Sequence, residues 1–235
     1  MTSKEIMAEL KSLGSESIKK ILLKHGVKEP LFGVKVEHLK PIQKKIKMDY
    51  KLSNELYYTK NADAMYLAGL IADDDKMTRE DLNAWVKLAV SNNISEYTVP
   101  WVAAGSRYGF ELAMEWIDSD EEHIAAAGWS TLSGLVALKP DNELDLPTLK
   151  KLLARIEKNI HAAKNRERAT MNGFIIAVGI YVSGLTKDAV NTANKVGTVT
   201  VKKEGTACKV PCAKEYINKA IDKGVAGKKK KTIKC

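Results

Sequence analysis

The stretch SEYTVPWVAAGSRYG, residues 95–109, gathers side chains able to act on a ligand. Tyr97 and Trp101 stand four apart, the spacing that sets two side chains on one face of a helix. Such a pair is either core packing, where large aromatics end up, or an exposed platform for a base or a cation. Pro100 lies between them and kinks the helix or marks its true start, because it has no N–H to donate. Glu96 adjoins the pair but points about 100° away from Tyr97 on a helix. Arg107 follows, a candidate phosphate contact, and Glu111 and Glu115 fall on the next predicted helix.

Cations cluster elsewhere. Lys164-Asn165-Arg166-Glu167-Arg168 opens a strongly helical segment, where its charges and the free N–H groups of a first turn can grip a phosphate, or where it is a solvated turn. Lys40, Lys44, Lys45 and Lys47 form a basic stretch on an early helix, to be read as a phosphate contact or a wet face. The net charge of +9 is unevenly spread: residues 1–50 carry +5, 51–122 carry −8, 123–201 carry +4 and 202–235 carry +8. The end, GKKKKTIKC, is a phosphate-binding arm or a solvated tail.

Other chemistry finds little support. His123 and His161 have no Ser or Cys partner suggesting a nucleophilic relay. Cys208, Cys212 and Cys235 lack a second CxxC pair or a His partner, so ordinary thiols are expected and no metal. A Walker loop, a Rossmann fingerprint and HExxH are missing, and no cofactor is expected. Asp63 and Asp73-Asp75 sit near helix ends, where capping suffices, and Asn172 in TMNGFII needs a hydrogen-bond partner if buried.

Apolar residues recur at three- and four-residue spacing almost throughout. Helices are predicted at 3–13, 15–25, 36–47, 51–58, 61–72, 78–91, 95–104, 108–117, 120–138, 146–162, 166–182, 186–195 and 212–223. Ser3 and Thr78 read as N-caps followed by acids in the first turn. Short links between segments of about 35 to 45 residues imply antiparallel pairs, hence an all-α solenoid of HEAT-like helix pairs. Only 197–205 has an alternating, hairpin-like character. The predicted organisation is a helical domain over 1–201 and a basic extension over 202–235 with one helix, packed on the same domain. The uncharged run 169–183 is shorter than the roughly 20 residues a bilayer needs, and no secretory signal is visible, so a cytoplasmic protein is expected.

Several blocks carry a family likeness: LFGVKVEHLKPIQKKIK (31–47), AMYLAGLIADDDKMTREDLNAWV, SEYTVPWVAAGSRYGFELAMEWIDSDEEHIAAAGWSTLSGLV, RATMNGFIIAVGIYV and GTACKVPCAKEYINKAIDKG. Their order and spacing resemble the AlkD-like DNA alkylation repair proteins, over about residues 30–230. The resemblance implies a curved stack of helix pairs holding duplex DNA on its concave face. It also implies excision of cationic N3- or N7-alkylpurines without a metal, a carboxylate stabilising the oxocarbenium-like sugar.

Position by position, active members of that family present an aromatic and, four residues later, an essential aspartate, which matches Tyr97 and Trp101 here. The family's arginine on a following inner helix matches about Ala126, and an aromatic after glycine on a later inner helix matches Phe174. The aromatics are kept and the charged groups are not. The resemblance therefore implies a binder of duplex DNA, including alkylated DNA, with weak or no base excision, and a monomer is expected. Tyr97, Trp101, Arg107, Lys164, Arg166, Arg168, Phe174, Lys44 and Lys45 are its expected DNA contacts, and no membrane partner is expected. The alternatives are a glycosylase using Glu96 or Glu111, and a protein-interaction solenoid displaying the acids of 51–122.

Overall fold

The structure, a computed structural model, describes residues 1–202 and 210–235. These fall into two compact units: Met1–Tyr108 with Lys234–Cys235, and Gly109–Lys202 with 210–233.

The first unit contains α1 (Ser3–Leu13), α2 (Glu16–Lys24), α3 (Val36–Ile46), α4 (Tyr50–Tyr58), α5 (Ala62–Ile71), α6 (Arg79–Leu88) and α7 (Val99–Gly105), the last entered through a π turn at Ile94–Thr98. Caps set most starts. Thr2, one residue before the predicted cap, forms a capping box with Glu5, and Thr78 forms another with Asp81. The Asp49 carboxylate accepts the Leu52 N–H at 3.0 Å to open α4, and Asn61 caps α5. Every residue of α5, ADAMYLAGLI, is buried, so it forms the axis around which the unit packs. Beside it Tyr57 of α4 stacks on Trp85 of α6 at 3.9 Å, and its hydroxyl donates to the Trp85 carbonyl at 2.7 Å. The Trp85 indole donates to Asn54 at 2.9 Å, so both buried aromatics have their polar ends satisfied.

The second unit contains α8 (Gly109–Trp116), α9 (Glu122–Leu138), α10 (Leu146–Asn159), α11 (Asn165–Tyr181), α12 (Thr186–Val196) and α13 (Ala213–Asp222). Its axis is the pair α9 and α11, buried over most of their length, with α8, α12 and α13 packed around them. Asn172, inside α11, donates to the Pro211 carbonyl at 2.9 Å, the partner its burial requires. No single helix among the described residues is long and apolar enough to cross a membrane.

The hairpin-like reading of 197–205 fails over its described part: residues 197–202 form no strand. Side chains of α11 take their backbone groups instead. Asn165 accepts the Lys202 N–H at 2.6 Å and donates to its carbonyl at 2.8 Å, and Arg168 donates to the Thr200 carbonyl at 3.0 Å. Residues 203–205 lie outside the described residues, as does Cys208.

Candidate nucleic-acid interface

The π turn separates the two aromatics that spacing alone puts on one face. Tyr97 is 53% exposed, while Trp101 is 8% exposed and packs edge-on against Tyr66, ring centroids 5.3 Å apart. The cause is local. Pro100 sits in the first turn of α7 and cannot donate to the turn before it, and the Val99 N–H reaches back five residues to the Ile94 carbonyl. The wider turn breaks the four-residue register, leaving Tyr97 at the surface and the indole in the core. Glu96 is buried and engaged within the structure, and Ala126 is buried on α9. Arg107 is exposed, its guanidinium over the Tyr108 ring and donating to the Tyr108 hydroxyl at 2.7 Å.

In the same unit Lys44 and Lys45 close α3, exposed and without a polar partner among the described residues.

Asp63, read as a cap, does more. Its buried carboxylate accepts three backbone N–H groups, from Phe32 at 2.6 Å, Gly33 at 3.1 Å and Val34 at 2.9 Å. The LFGV segment is thereby clamped onto the start of α5. Gly33 has φ +79° and lies against the Lys19 and Ser15 backbone, where any side chain would collide.

Asp74 and Lys234 escape sequence reasoning because 160 residues separate them. The ammonium lies 2.7 Å from the carboxylate and donates to the Ala72 carbonyl at 2.9 Å. Burial lifts the Asp74 carboxyl to about 6, against the opposing pull of Lys234. A side chain at Gly105 would strike that carboxylate. Burial raises the Tyr66 phenol above its ordinary value, and the Cys235 side chain adds to the rise by hydrogen bonding. Lys234 is therefore seated in this unit, while Cys235 beside it remains exposed.

In the second unit Lys164, Arg166 and Arg168 do come together at the start of α11, where Lys164 and Arg168 spend donors on backbone carbonyls. Lys164 donates to the Asp120 carbonyl, and Arg168 to the Ala163 and Thr200 carbonyls. The Arg166 N–H, one of those a phosphate would use, donates to the Glu122 carboxylate at 2.7 Å. Glu122 thus occupies the helix end that anions favour. Phe174 is fully buried against Trp129, centroids 5.5 Å apart, and offers no surface. Glu111 is exposed on α8 and engaged with a neighbour. Lys229 donates to the Val136 carbonyl at 2.9 Å and pairs with Asp141 at 2.8 Å, so part of the lysine run is also spent on the fold. Among the described residues no group of three His, Cys, Asp or Glu side chains could hold a metal ion.

The fold is that of a HEAT-like helical repeat protein. A solved structure described as "a new family of proteins related to the HEAT-like repeat DNA glycosylases with affinity for branched DNA structures" matches with a TM-score of 0.92 and 37% identity, covering 100% of both chains. Uncharacterized proteins of Listeria innocua and Listeria monocytogenes are 32% and 33% identical over 226 residues, covering 94% of this chain and 97% of each relative. The family model described as "DNA alkylation repair enzyme" matches residues 6–216. The chain belongs to this DNA alkylation repair family.

Proposed function

We propose that this protein binds DNA, branched structures above all, chiefly through phosphate contacts and with little or no base excision. One observation carries the reading: the likeness over the whole chain to a structure whose protein has affinity for branched DNA. The local chemistry supports it. Lys44 and Lys45 are exposed and without a polar partner among the described residues, and Tyr97 offers an exposed ring of the type that stacks on unpaired bases. Where the resemblance places an excising carboxylate, Trp101 puts an indole into the core, and neighbouring Glu96 is buried and engaged. A cationic sugar would find no exposed acid at either position to stabilise it.

The test is a binding titration of the full-length protein on a four-way junction and on a linear duplex of the same strands' length, with methylated duplex incubated in parallel. The protein should bind the junction more tightly and release no 7-methylguanine or 3-methyladenine above background. Robust release of either base contradicts the non-excising reading, and equal, weak affinity for both DNAs contradicts the branched preference.

A further inference from the structure

The connection between α3 and α4 is three residues long, Lys47-Met48-Asp49, and carries the most exposed large apolar side chain of the described residues, Met48 at 69%. Its backbone is held on both sides. The Lys47 N–H donates to the Gln43 carbonyl at 2.7 Å, the Asp49 N–H to the Ile71 carbonyl at 2.8 Å, and the Asp49 carboxylate caps α4. Lys47 has φ +65°, a conformation that costs an L residue energy and persists only where its surroundings enforce it. The result is a rigid turn that presents one unbranched, polarisable side chain to solvent.

Four exposed lysines surround that side chain in sequence: Lys44, Lys45, Lys47 and Lys51, none with a polar partner among the described residues. Lys44 and Lys45 suit the negative end of α3. Lys51 does not serve its own helix, because it stands in the first turn of α4, where the positive helix end disfavours a cation. The helix is started by Asp49, so the charge at 51 has no structural duty there.

We propose that Met48 is a wedge that enters an opened base step at a DNA branch point, while Lys44, Lys45, Lys47 and Lys51 hold the flanking phosphates. The proposal rests on the DNA-binding reading above and deepens it. In continuous duplex an apolar wedge must first separate stacked bases. At a branch point stacking is already interrupted, so the same insertion costs less, and a wedge favours branched over linear DNA. The lysines contribute affinity without regard to sequence, because they meet only phosphates.

The experiment compares full-length wild type, Met48→Ala, Met48→Leu and Lys51→Ala on a four-way junction and on a linear duplex, with thermal unfolding of each variant as a folding check. Met48→Ala is expected to weaken junction binding on the order of tenfold while leaving duplex binding and its salt slope unchanged. Met48→Leu restores most of the loss, and Lys51→Ala weakens both DNAs alike. If wild type prefers the junction and Met48→Ala prefers it equally, the wedge is wrong and the DNA-binding reading stands. If wild type binds neither DNA, both fall together.

Discussion

Trp101 meets Tyr66 edge to face, ring centroids 5.3 Å apart, with the indole in the core while Tyr97, four residues earlier, stays at the surface. The two aromatics therefore have separable roles. Trp101→Ala should cost about 3 to 5 kcal/mol of stability by opening a cavity. Tyr97→Ala should shift stability by no more than about 0.5 kcal/mol and weaken DNA binding. Chemical denaturation of both variants beside the junction titration checks the pair.

The cations divide in the same way. Replacing Lys44 and Lys45 together by Ala should flatten the slope of log K against log salt by about 2 units, roughly 0.9 for each phosphate no longer neutralised. Arg168→Ala removes hydrogen bonds to the exposed Thr200 and part-buried Ala163 carbonyls, and should cost about 1 kcal/mol of stability with a smaller change in slope. Salt titrations of the two variants, with their unfolding curves, distinguish the cases.

Asp63 anchors the LFGV segment through three backbone N–H groups. Asp63→Ala leaves those donors buried without an acceptor and should destabilise the protein by about 3 kcal/mol or more. Urea unfolding measures the loss. An unchanged midpoint would mean the segment is held by its packing alone.

Asp74 gives the pH dependence a direction. Its folded value of about 6 lies above the ordinary 3.8, so the stability it contributes is fully present below pH 3.8 and lost as pH rises through 6. The shift corresponds to roughly 3 kcal/mol. Asp74→Asn removes this contribution. The stability difference between wild type and variant should therefore move against wild type between about pH 4 and pH 7, as read from denaturant midpoints.

The helices are legible because their signals are local. Helix α1 occupies the predicted 3–13, since its apolar spacing and a cap followed by Glu5 lie within one segment. The π turn is not, because only packing shows how the chain accommodates Pro100, although that proline does mark the start of α7. For the site, residue type identifies Lys164 and Arg168 as cations, but the carbonyls that occupy them come from 44 and 32 residues away. Asp63 reads as a cap for the same reason: the backbone it clamps lies 29 to 31 residues upstream. Nor does any pattern distinguish Met48 from its neighbours; its exposure and the positive φ beside it belong to the folded backbone.

The most direct test of the central claim is the affinity of the full-length protein for a four-way junction across a series of salt concentrations. Log K should fall linearly with log salt, with a slope of about −3 or steeper, corresponding to three or more neutralised phosphates. A flat response, or no binding at low salt, would contradict it.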